Sequence, residues 1–164
     1  MNDRESFKRA SAAALRFLCY RPRSEAEVRA RLGRRFPSDV VERVMKALVE
    51  QELVDDPSFA KLWRDNRDSL HPRSAAAIKR ELISKGVGRD VAEIAVRDLD
   101  DQDSAYRAAL KPARQIELAD YSTFHRRLLG YLRRRGFSPS VTRDTIARIW
   151  DERQASTSPP QGAR

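Results

Sequence analysis

Hydrophobic positions recur along this chain at an offset of 50 residues, in three successive segments. The matched apolar positions are Val28, Ile78 and Leu128, then Leu32, Leu82 and Leu132, then Val41, Val91 and Val141. A basic residue follows the second apolar position in each copy, as Arg35, Lys85 and Arg135. Self-similarity at this scale is typical of repeat proteins, whose units bury an apolar face only when a neighbour covers it. We therefore expect the function to lie on a surface that the array presents.

Apolar residues within each copy recur at helical intervals, and no run alternates apolar and polar residues as a half-buried strand does. The first helix is predicted over 10–20, and the second begins at a capping box formed by Ser24 and Glu27. Gly86 and Gly136 are placed to end the middle helices of the second and third copies. The pattern predicts three helices in each copy.

The second and third copies also begin with recognisable helix signals. Asp56 is expected to cap a helix that has Pro57 at its first position, and Ser138 with Pro139 is expected to begin the last helix. Pro112 is expected to kink or end the first helix of the third copy.

The sequence thus predicts an all-α protein of three tandem three-helix repeats in an elongated, curved array. The repeats are placed at 10–54, 55–103 and 104–153, with a disordered N-terminus at 1–9 and a disordered tail at 154–164. The short turn between the second and third helices gives each repeat the outline of a helix-turn-helix unit. Such units dock on DNA when isolated.

Composition indicates a soluble helical protein with an anionic partner. Charged residues make up 35% of the chain, aromatic residues 7%, and the net charge is +9. That excess favours nucleic acid or another polyanion. Much of it is arginine in doublets and triplets, as at 34–35, 126–127 and 133–135. Arginine suits bidentate contact with phosphate or carboxylate, so an acidic protein groove fits as well as DNA.

The cysteine count and the hydropathy limit which covalent links, metal sites and cellular locations are expected. Cys19 is the single cysteine, so the sequence predicts no intramolecular disulfide and no cysteine-rich zinc site. Because it lies in the apolar run 15–20, we expect its thiol to be buried. No apolar stretch approaches the ~18 residues of a membrane span, so we expect a cytoplasmic protein without membrane partners.

Candidate catalytic groups are few. His71 and His125 are the only histidines, and neither has a ligand partner at helix spacing, so we expect no metal and no cofactor. No phosphate-binding loop or nucleophile elbow occurs. Asp55 and Asp56 favour a capped helix start over a magnesium site. We expect a protein that is not an enzyme.

Three motifs in order resemble those of the RecX family. They are A-L-R-F-L at 14–18 followed by R-P-R-S-E-A-E-V-R-A-R-L at 21–32, L-V-D-D at 53–56 with Phe59 and Ala60, and Ile78, Glu81, Leu82, Lys85, Gly86 and Val87. The similarity covers about residues 11–152. The chain departs from the family pattern at Phe36, where a glycine is common, and at 70–73, which lacks the usual glycines.

The resemblance implies a regulator of the RecA recombinase, acting in DNA recombination, DNA repair and the SOS response. Members are expected to lie in the groove of the RecA–DNA filament, to limit its growth or strand exchange and to lower its ATP hydrolysis without catalysis of their own. The implied partners are the RecA filament and, through it, DNA, which the monomeric protein would bind weakly alone.

Candidate contact residues are the basic ones that recur or cluster. They are Arg31, Arg34, Arg35, Lys79, Lys85, Arg126, Arg127, Arg133, Arg134 and Arg135. The matched cations Arg35, Lys85 and Arg135 end their helices, where a cation stabilises exposed carbonyls by about 0.3–1 kcal/mol, so they fit a structural role as well as a ladder of contacts to a periodic partner.

Two further interpretations stay open on the residues alone. A helix-turn-helix protein that binds duplex DNA directly, or a scaffold for an unrelated acidic protein, would also explain the charge. Trp63, Trp150, Tyr20 and Tyr131 are placed among apolar stripes, which favours core packing over base stacking, and Tyr131 is the least clear of them.

Overall fold

The protein is described by a computed structural model covering residues 3–116 and 120–157, and these residues form nine helices and no strand. The helices are α1 Asp3–Tyr20, α2 Glu25–Gly33, α3 Ser38–Glu50, α4 Asp56–Leu70, α5 Ala75–Ser84, α6 Arg89–Val96, α7 Asp101–Arg114, α8 Tyr121–Arg134 and α9 Pro139–Thr157. The all-α prediction is confirmed. We call α1–α3 repeat 1, α4–α6 repeat 2 and α7–α9 repeat 3.

The middle helix of each repeat is anchored by its matched leucine. Leu32, Leu82 and Leu132 are at most 1% exposed, and they lie in or at the end of α2, α5 and α8 respectively. Gly86 and Gly136 follow α5 and α8 with positive φ angles of 83° and 87°, which glycine adopts without strain. The periodic pattern therefore predicts the buried leucines correctly, whereas at the last matched position Val41 is buried and Val91 and Val141 are only half-buried.

Repeat 1 corrects three predictions. α1 begins at Asp3 instead of Ala10, so residues 3–9, expected to be disordered, are helical. Its buried face is formed by Ser6, Ala10 and Ala14, whereas Leu15 is 45% exposed. The thiol of Cys19 is exposed and not buried. Within the apolar run at 15–20, Phe17 and Leu18 pack against the core while Leu15, Cys19 and Tyr20 are exposed, a division that sequence hydropathy does not reveal.

The ends of repeats 2 and 3 also differ from expectation. Asp55 caps α4 by accepting a hydrogen bond from the Ser58 backbone N–H at 3.3 Å, while Asp56 is the first helical residue. Pro112 lies inside α7, which continues to Arg114. α9 runs on to Thr157, so 154–157 of the predicted disordered tail are helical, and the remainder of that tail lies outside the described residues.

The chain divides into two compact units, and the boundaries between them fall within α4 and α5. Among the described residues, one unit contains 3–65 and 79–96, and the other contains 66–78, 97–116 and 120–157. The first has a core of buried side chains from α1–α3, including Val28, Val44 and Met45. The second has a core from α7–α9, including Phe124 and Ile146.

In the first unit, the start of α2 meets the end of α5. The Ser24 hydroxyl donates a hydrogen bond of 2.6 Å to the Lys85 carbonyl oxygen. The same hydroxyl accepts from the Glu27 N–H at 3.2 Å, and the Glu27 carboxylate accepts from the Ser24 N–H at 3.1 Å. The Glu25 N–H donates to the Asp56 carboxylate at 2.9 Å. We call this contact the first joint; it satisfies helix-end groups that otherwise lack partners.

The second unit contains the same contact one repeat later. The Ser74 N–H donates to the Arg135 carbonyl oxygen at 3.1 Å, and the Ala75 N–H donates to the Asp101 carboxylate at 2.7 Å. The Ser74 hydroxyl caps α5 by accepting from the Ala77 N–H at 3.1 Å. In this second joint, as in the first, a serine cap at the start of one middle helix contacts the end of the next.

The two joints use different donors for a reason visible in the sequence. In repeat 1 the Glu27 carboxylate occupies the Ser24 N–H, so the serine hydroxyl reaches across the joint. In repeat 2 Ala77 stands at the position of Glu27, so the Ser74 N–H is available and bonds across the joint itself. Helix-end groups in both joints are satisfied by the neighbouring repeat, as buried polar groups require.

Gly86 allows the first joint to close. A Cβ atom placed on Gly86 would lie 2.2 Å from the Ala26 Cβ, and the residue has a φ of 83°. We predict that Gly86→Ala destabilises the protein by at least about 2 kcal/mol, because a side chain is strained in this conformation and also overlaps α2. The measurement is the free energy of unfolding by urea.

Gly33→Ala is the matched control for this substitution. Gly33 ends α2 with no atom within 4 Å of its Cβ position, so alanine there should leave stability unchanged or raise it by up to about 1 kcal/mol. Equal stabilities of the two variants would contradict the close approach at Gly86.

Glu27 makes the first joint sensitive to pH. Burial alone would raise the pKa of its carboxyl, but the hydrogen bonds from Arg21 and from the Ser24 N–H, with the charge of Lys85, lower the pKa below its ordinary value of 4.5. A lowered pKa in the folded state contributes stability above the unfolded-state pKa, and that stability is lost as the pH falls through the folded-state pKa.

We therefore predict that Glu27→Gln, which preserves the cap acceptor but removes the charge, is less stable than the parent at pH 7. The difference should shrink as the pH is lowered below 4.5, the ordinary pKa of the group. Urea unfolding at a series of pH values measures it. Glu50→Gln, in an exposed pair 3.9 Å from Lys46, is the control and should change little. A pH-independent difference at Glu27 would refute the charge contribution.

Candidate partner-binding surface

The ten predicted contact residues fall into separate structural groups. Lys85 and Arg135 lie in the joints, and Lys79 is paired within repeat 2. The others are exposed, with three at the end of α2 and four on α8. Those two exposed groups are Arg31, Arg34 and Arg35, and Arg126, Arg127, Arg133 and Arg134.

Lys85 and Arg135 each have partners inside the chain. The Lys85 ammonium lies 4.2 Å from the centre of the Trp63 ring and 4.0 Å from the Glu27 carboxylate. The Arg135 guanidinium lies 4.5 Å from the centre of the Tyr131 ring and donates to the Pro72 carbonyl oxygen at 3.3 Å. Cation–π contacts of this kind contribute about 0.5–1 kcal/mol at exposed sites. Both side chains thus have a structural role in the joints.

The third matched cation, Arg35, has a different setting. It is exposed, and among the described residues no hydrogen bond from another repeat reaches its carbonyl oxygen. Phe36 follows it where Gly86 and Gly136 follow the other two. A side chain at Gly86 would overlap α2, so the glycine is needed where a helix docks. No such docking occurs at Phe36 in the described part of the chain.

Lys79 lies on α5 and forms an ion pair with Glu93 of α6. Arg29 and Glu42 make the corresponding pair between α2 and α3, at 2.8 Å. The side chain of Lys79 is 35% exposed, so the pair is partly shielded from solvent. Exposed pairs of this kind are worth up to about 1 kcal/mol, and this one contributes to holding the second and third helices of its repeat together.

The clearest concentration of exposed cations is in repeat 3. A groove between the end of α7 and the outer face of α8 is lined by Arg126, Arg127 and Arg134. Its floor includes Gly130 and Ile116. Among the described residues, the charged side chains that line this α7–α8 groove are these three arginines. Clefts lined by one sign of charge concentrate field and attract oppositely charged partners.

Local structure fixes the orientation of α8. The Asp120 carboxylate caps the helix by accepting from the Thr123 N–H at 2.8 Å. That hydrogen bond, with the charge of Arg126, lowers the pKa of the Asp120 carboxyl. Phe124, Leu128 and Leu132 are buried on the opposite face. The helical spacing therefore places the arginines at 126, 127 and 134 outward.

Gly130 shapes the α7–α8 groove. A side chain at this position would meet the Arg134 guanidinium at 3.2 Å, so its absence leaves room for that group. Glycine inside a helix costs about 0.5–1 kcal/mol relative to alanine. Gly130 was not predicted as part of the site, although an isolated glycine between arginines in a helix is a usable sequence signal.

Two further cations were not predicted from the sequence. Lys111 and Arg114 are exposed in the last turn of α7, beside the groove. The end of α7 is held by Arg153 of α9, whose guanidinium donates to the carbonyl oxygens of Ala113 and, at 3.0 Å, Ile116. The positions of Lys111 and Arg114 in the sequence do not indicate that they lie near the arginines of α8. Only the packing of α7 on α8 brings the two basic segments together.

The helices that would enter a DNA groove in a helix-turn-helix unit carry carboxylates. In α3 the exposed residues include Asp39, Glu42 and Glu50, and in α9 they include Asp144 and Asp151. Carboxylates on an approaching helix repel the phosphate backbone. The outline of the motif is present, and because exposed Arg43 and Lys46 on α3 and exposed Arg143 and Arg148 on α9 accompany these carboxylates, both faces carry mixed charge.

The described residues contain neither a metal-binding cluster nor a membrane-spanning helix. Over 3–116 and 120–157, no three His, Cys, Asp or Glu side chains are grouped so as to hold a metal ion. In the same part of the chain, no helix has the length and apolarity needed to cross a bilayer. Trp150 packs against Phe124 and Tyr121, with ring centres 5.2 Å apart in both cases, consistent with a core role.

Comparisons with known proteins agree on one family. The family model described as RecX, first three-helix domain, matches residues 10–48. Regulatory protein RecX of Chlorobium limicola is 32% identical over 142 residues, covering 86% of this chain and 89% of that protein. Regulatory protein RecX of Corynebacterium efficiens is 33% identical over 163 residues, covering 92% and 78%.

A solved structure shows the same fold. The crystal structure of RecX from Lactobacillus salivarius superposes with a TM-score of 0.77 at 23% identity, covering 90% of this chain and 98% of that one. This chain belongs to the RecX family of regulatory proteins.

Proposed function

We propose that this protein regulates the RecA recombinase by binding the filament that RecA forms on DNA, and that it lowers ATP hydrolysis without catalysing a reaction. The observation that carries the proposal is the α7–α8 groove, whose charged lining among the described residues is three arginines, in a member of the RecX family. It needs no cofactor. The proposed setting is cytoplasmic, in DNA recombination, repair and the SOS response.

The chemistry of the groove fits an acidic ridge or a phosphate backbone. Arginine presents a planar fork that pairs with carboxylate or phosphate through two hydrogen bonds. Arg126 and Arg134 lie two helical turns apart on α8, and Arg127 lies beside Arg126, so the groove offers several such forks along one line. A repeating assembly displays acidic groups at regular intervals, which suits this arrangement.

Inhibition follows from preference for one state of the filament. A ligand that binds one conformation more tightly shifts the population toward it by no more than its difference in affinity. A tenfold preference, worth about 1.4 kcal/mol per bound protein, is enough to disfavour the state that hydrolyses ATP. The regulator then acts without touching the nucleotide.

The exposed cations are assigned the contact role, and the joint cations are not. Lys85 and Arg135 stabilise the repeats, so their substitution would change folding as well as binding. Arg31, Arg34 and Arg35 at the end of α2 stay a predicted second contact, and Arg133 a predicted flanking one.

The direct test reverses the charge of the groove. We predict that Arg126→Glu, Arg127→Glu and Arg134→Glu together raise the concentration needed for half-inhibition of DNA-dependent ATP hydrolysis by RecA about tenfold or more, because attraction becomes repulsion. Circular dichroism should show unchanged helicity, since all three side chains are outside the core.

A control of equal charge change is Lys61→Glu, Arg80→Glu and Arg89→Glu, three exposed cations on repeat 2. It should inhibit nearly as well as the parent. Equal loss in both variants would assign the effect to net charge, and unchanged inhibition by the groove variant would remove the groove from the contact. A parent protein that never inhibits RecA would end the proposal itself.

A further inference from the structure

A second basic surface lies in repeat 1, on the outer face of α1 and the end of α2. Two adjoining hollows there share Arg16, Arg35 and Phe36. Together their linings include four arginines and three aromatic residues, and no carboxylate among the described residues. We call this surface the α1–α2 hollow.

Two arginines of the hollow, Arg16 and Arg35, differ from others in the same repeat. Arg29 and Arg43 each pair with a carboxylate, at 2.8 and 2.6 Å. Arg16 and Arg35 are exposed and have no ion pair or side-chain hydrogen bond within the described residues. Arg16 precedes the last turn of α1, so it is not explained by stabilisation of a helix end. The hollow is therefore a place where cations are available to an external anion.

Tyr20 supplies the second observation. It is 85% exposed at the end of α1 and contributes to the lining of the hollow. Each of the other three tyrosines packs against a partner: Tyr106 against Arg148, Tyr121 against Trp150 and Tyr131 against Arg135. Tyr20 has no ring contact or hydrogen bond of its side chain in the described part of the chain.

The other two aromatic residues of the hollow have partners, which limits the ring faces that a ligand can stack on. The Phe17 ring is occupied, because the Arg23 guanidinium lies 4.0 Å and the Arg31 guanidinium 5.7 Å from its centre. Phe36 is half-buried against the core of repeat 1. The faces available for stacking are therefore those of Tyr20 and the outer part of Phe36, with Arg16 and Arg35 beside them.

We infer that the α1–α2 hollow binds single-stranded nucleic acid, with a base stacked on Tyr20 and phosphates paired with Arg16 and Arg35. Aromatic platforms beside basic side chains are the arrangement by which proteins hold single strands without reading sequence. A duplex fits less well, because its base faces are covered by neighbouring bases. An acidic peptide would use the arginines and leave Tyr20 without a role. The contact goes beyond the proposed function, since it requires no recombinase.

The first test measures binding of a fluorescent oligothymidylate of about 20 nucleotides by anisotropy, without recombinase, so that several bases are available per site. Tyr20→Ala should weaken binding by between about 5-fold and about 150-fold, the range expected for one stacked base. Tyr20→Phe preserves the ring and should bind like the parent. Equal binding by parent and Tyr20→Ala would overturn the stacking assignment.

The second test separates charge from stacking. Arg16→Ala with Arg35→Ala should reduce the slope of log affinity against log salt by about 1.4, because each phosphate contact to a single strand contributes about 0.7. Arg80→Ala with Arg89→Ala removes the same charge elsewhere and should leave the slope unchanged. If poly-glutamate binds as tightly as the oligonucleotide and Tyr20→Ala does not weaken it, the hollow is an acidic-peptide site and the inference is wrong.

The location is tested through the single cysteine. Cys19 is exposed and adjacent to Tyr20, so a strand on the hollow should slow its alkylation by iodoacetamide severalfold. Duplex at the same concentration should protect it less. An unchanged alkylation rate with the oligonucleotide bound would place the strand elsewhere. Failure here leaves the RecA assay unaffected, so the inference and the proposed function can fail independently.

Discussion

The fold depends on one recurring contact, in which the capped start of a middle helix bonds to the last carbonyl oxygens of the next middle helix. Ser24 makes it with Lys85, and Ser74 makes it with Arg135. The contact joins groups that a helix of about ten residues leaves unsatisfied at both ends. Repeats 1 and 3 each have a hydrophobic core, and these bonds tie part of repeat 2 to each of them within its compact unit.

That contact explains which basic side chains are held inside the protein and which are exposed to a partner. A basic side chain next to a joint carbonyl is held by aromatic and carbonyl partners, as Lys85 and Arg135 are. The arginines that line the α7–α8 groove and the α1–α2 hollow lie on outer helix faces instead. A net charge of +9 is therefore divided between structural and exposed roles. The regulatory function proposed for this RecX-family chain depends on the exposed part.

Periodicity predicted the helices and the buried leucines well, because Leu32, Leu82 and Leu132 obey a local rule of spacing. It failed where tertiary packing decides, as at Cys19 and Leu15, which are exposed although Phe17 and Leu18 of the same apolar run pack against the core. For the site, the arginine clusters were evident in the sequence. The roles of Gly130 and Tyr20 were not, because they depend on what neighbouring helices leave uncovered.

The most direct measurement of the central claim is hydrogen–deuterium exchange of this protein with and without RecA assembled on single-stranded DNA. If the outer face of repeat 3 is the contact, amides at the end of α7 and along 121–134 should gain protection, while amides of α3 should gain none. Protection confined to α3 and α6, or none in α8 while the complex forms, would contradict the account.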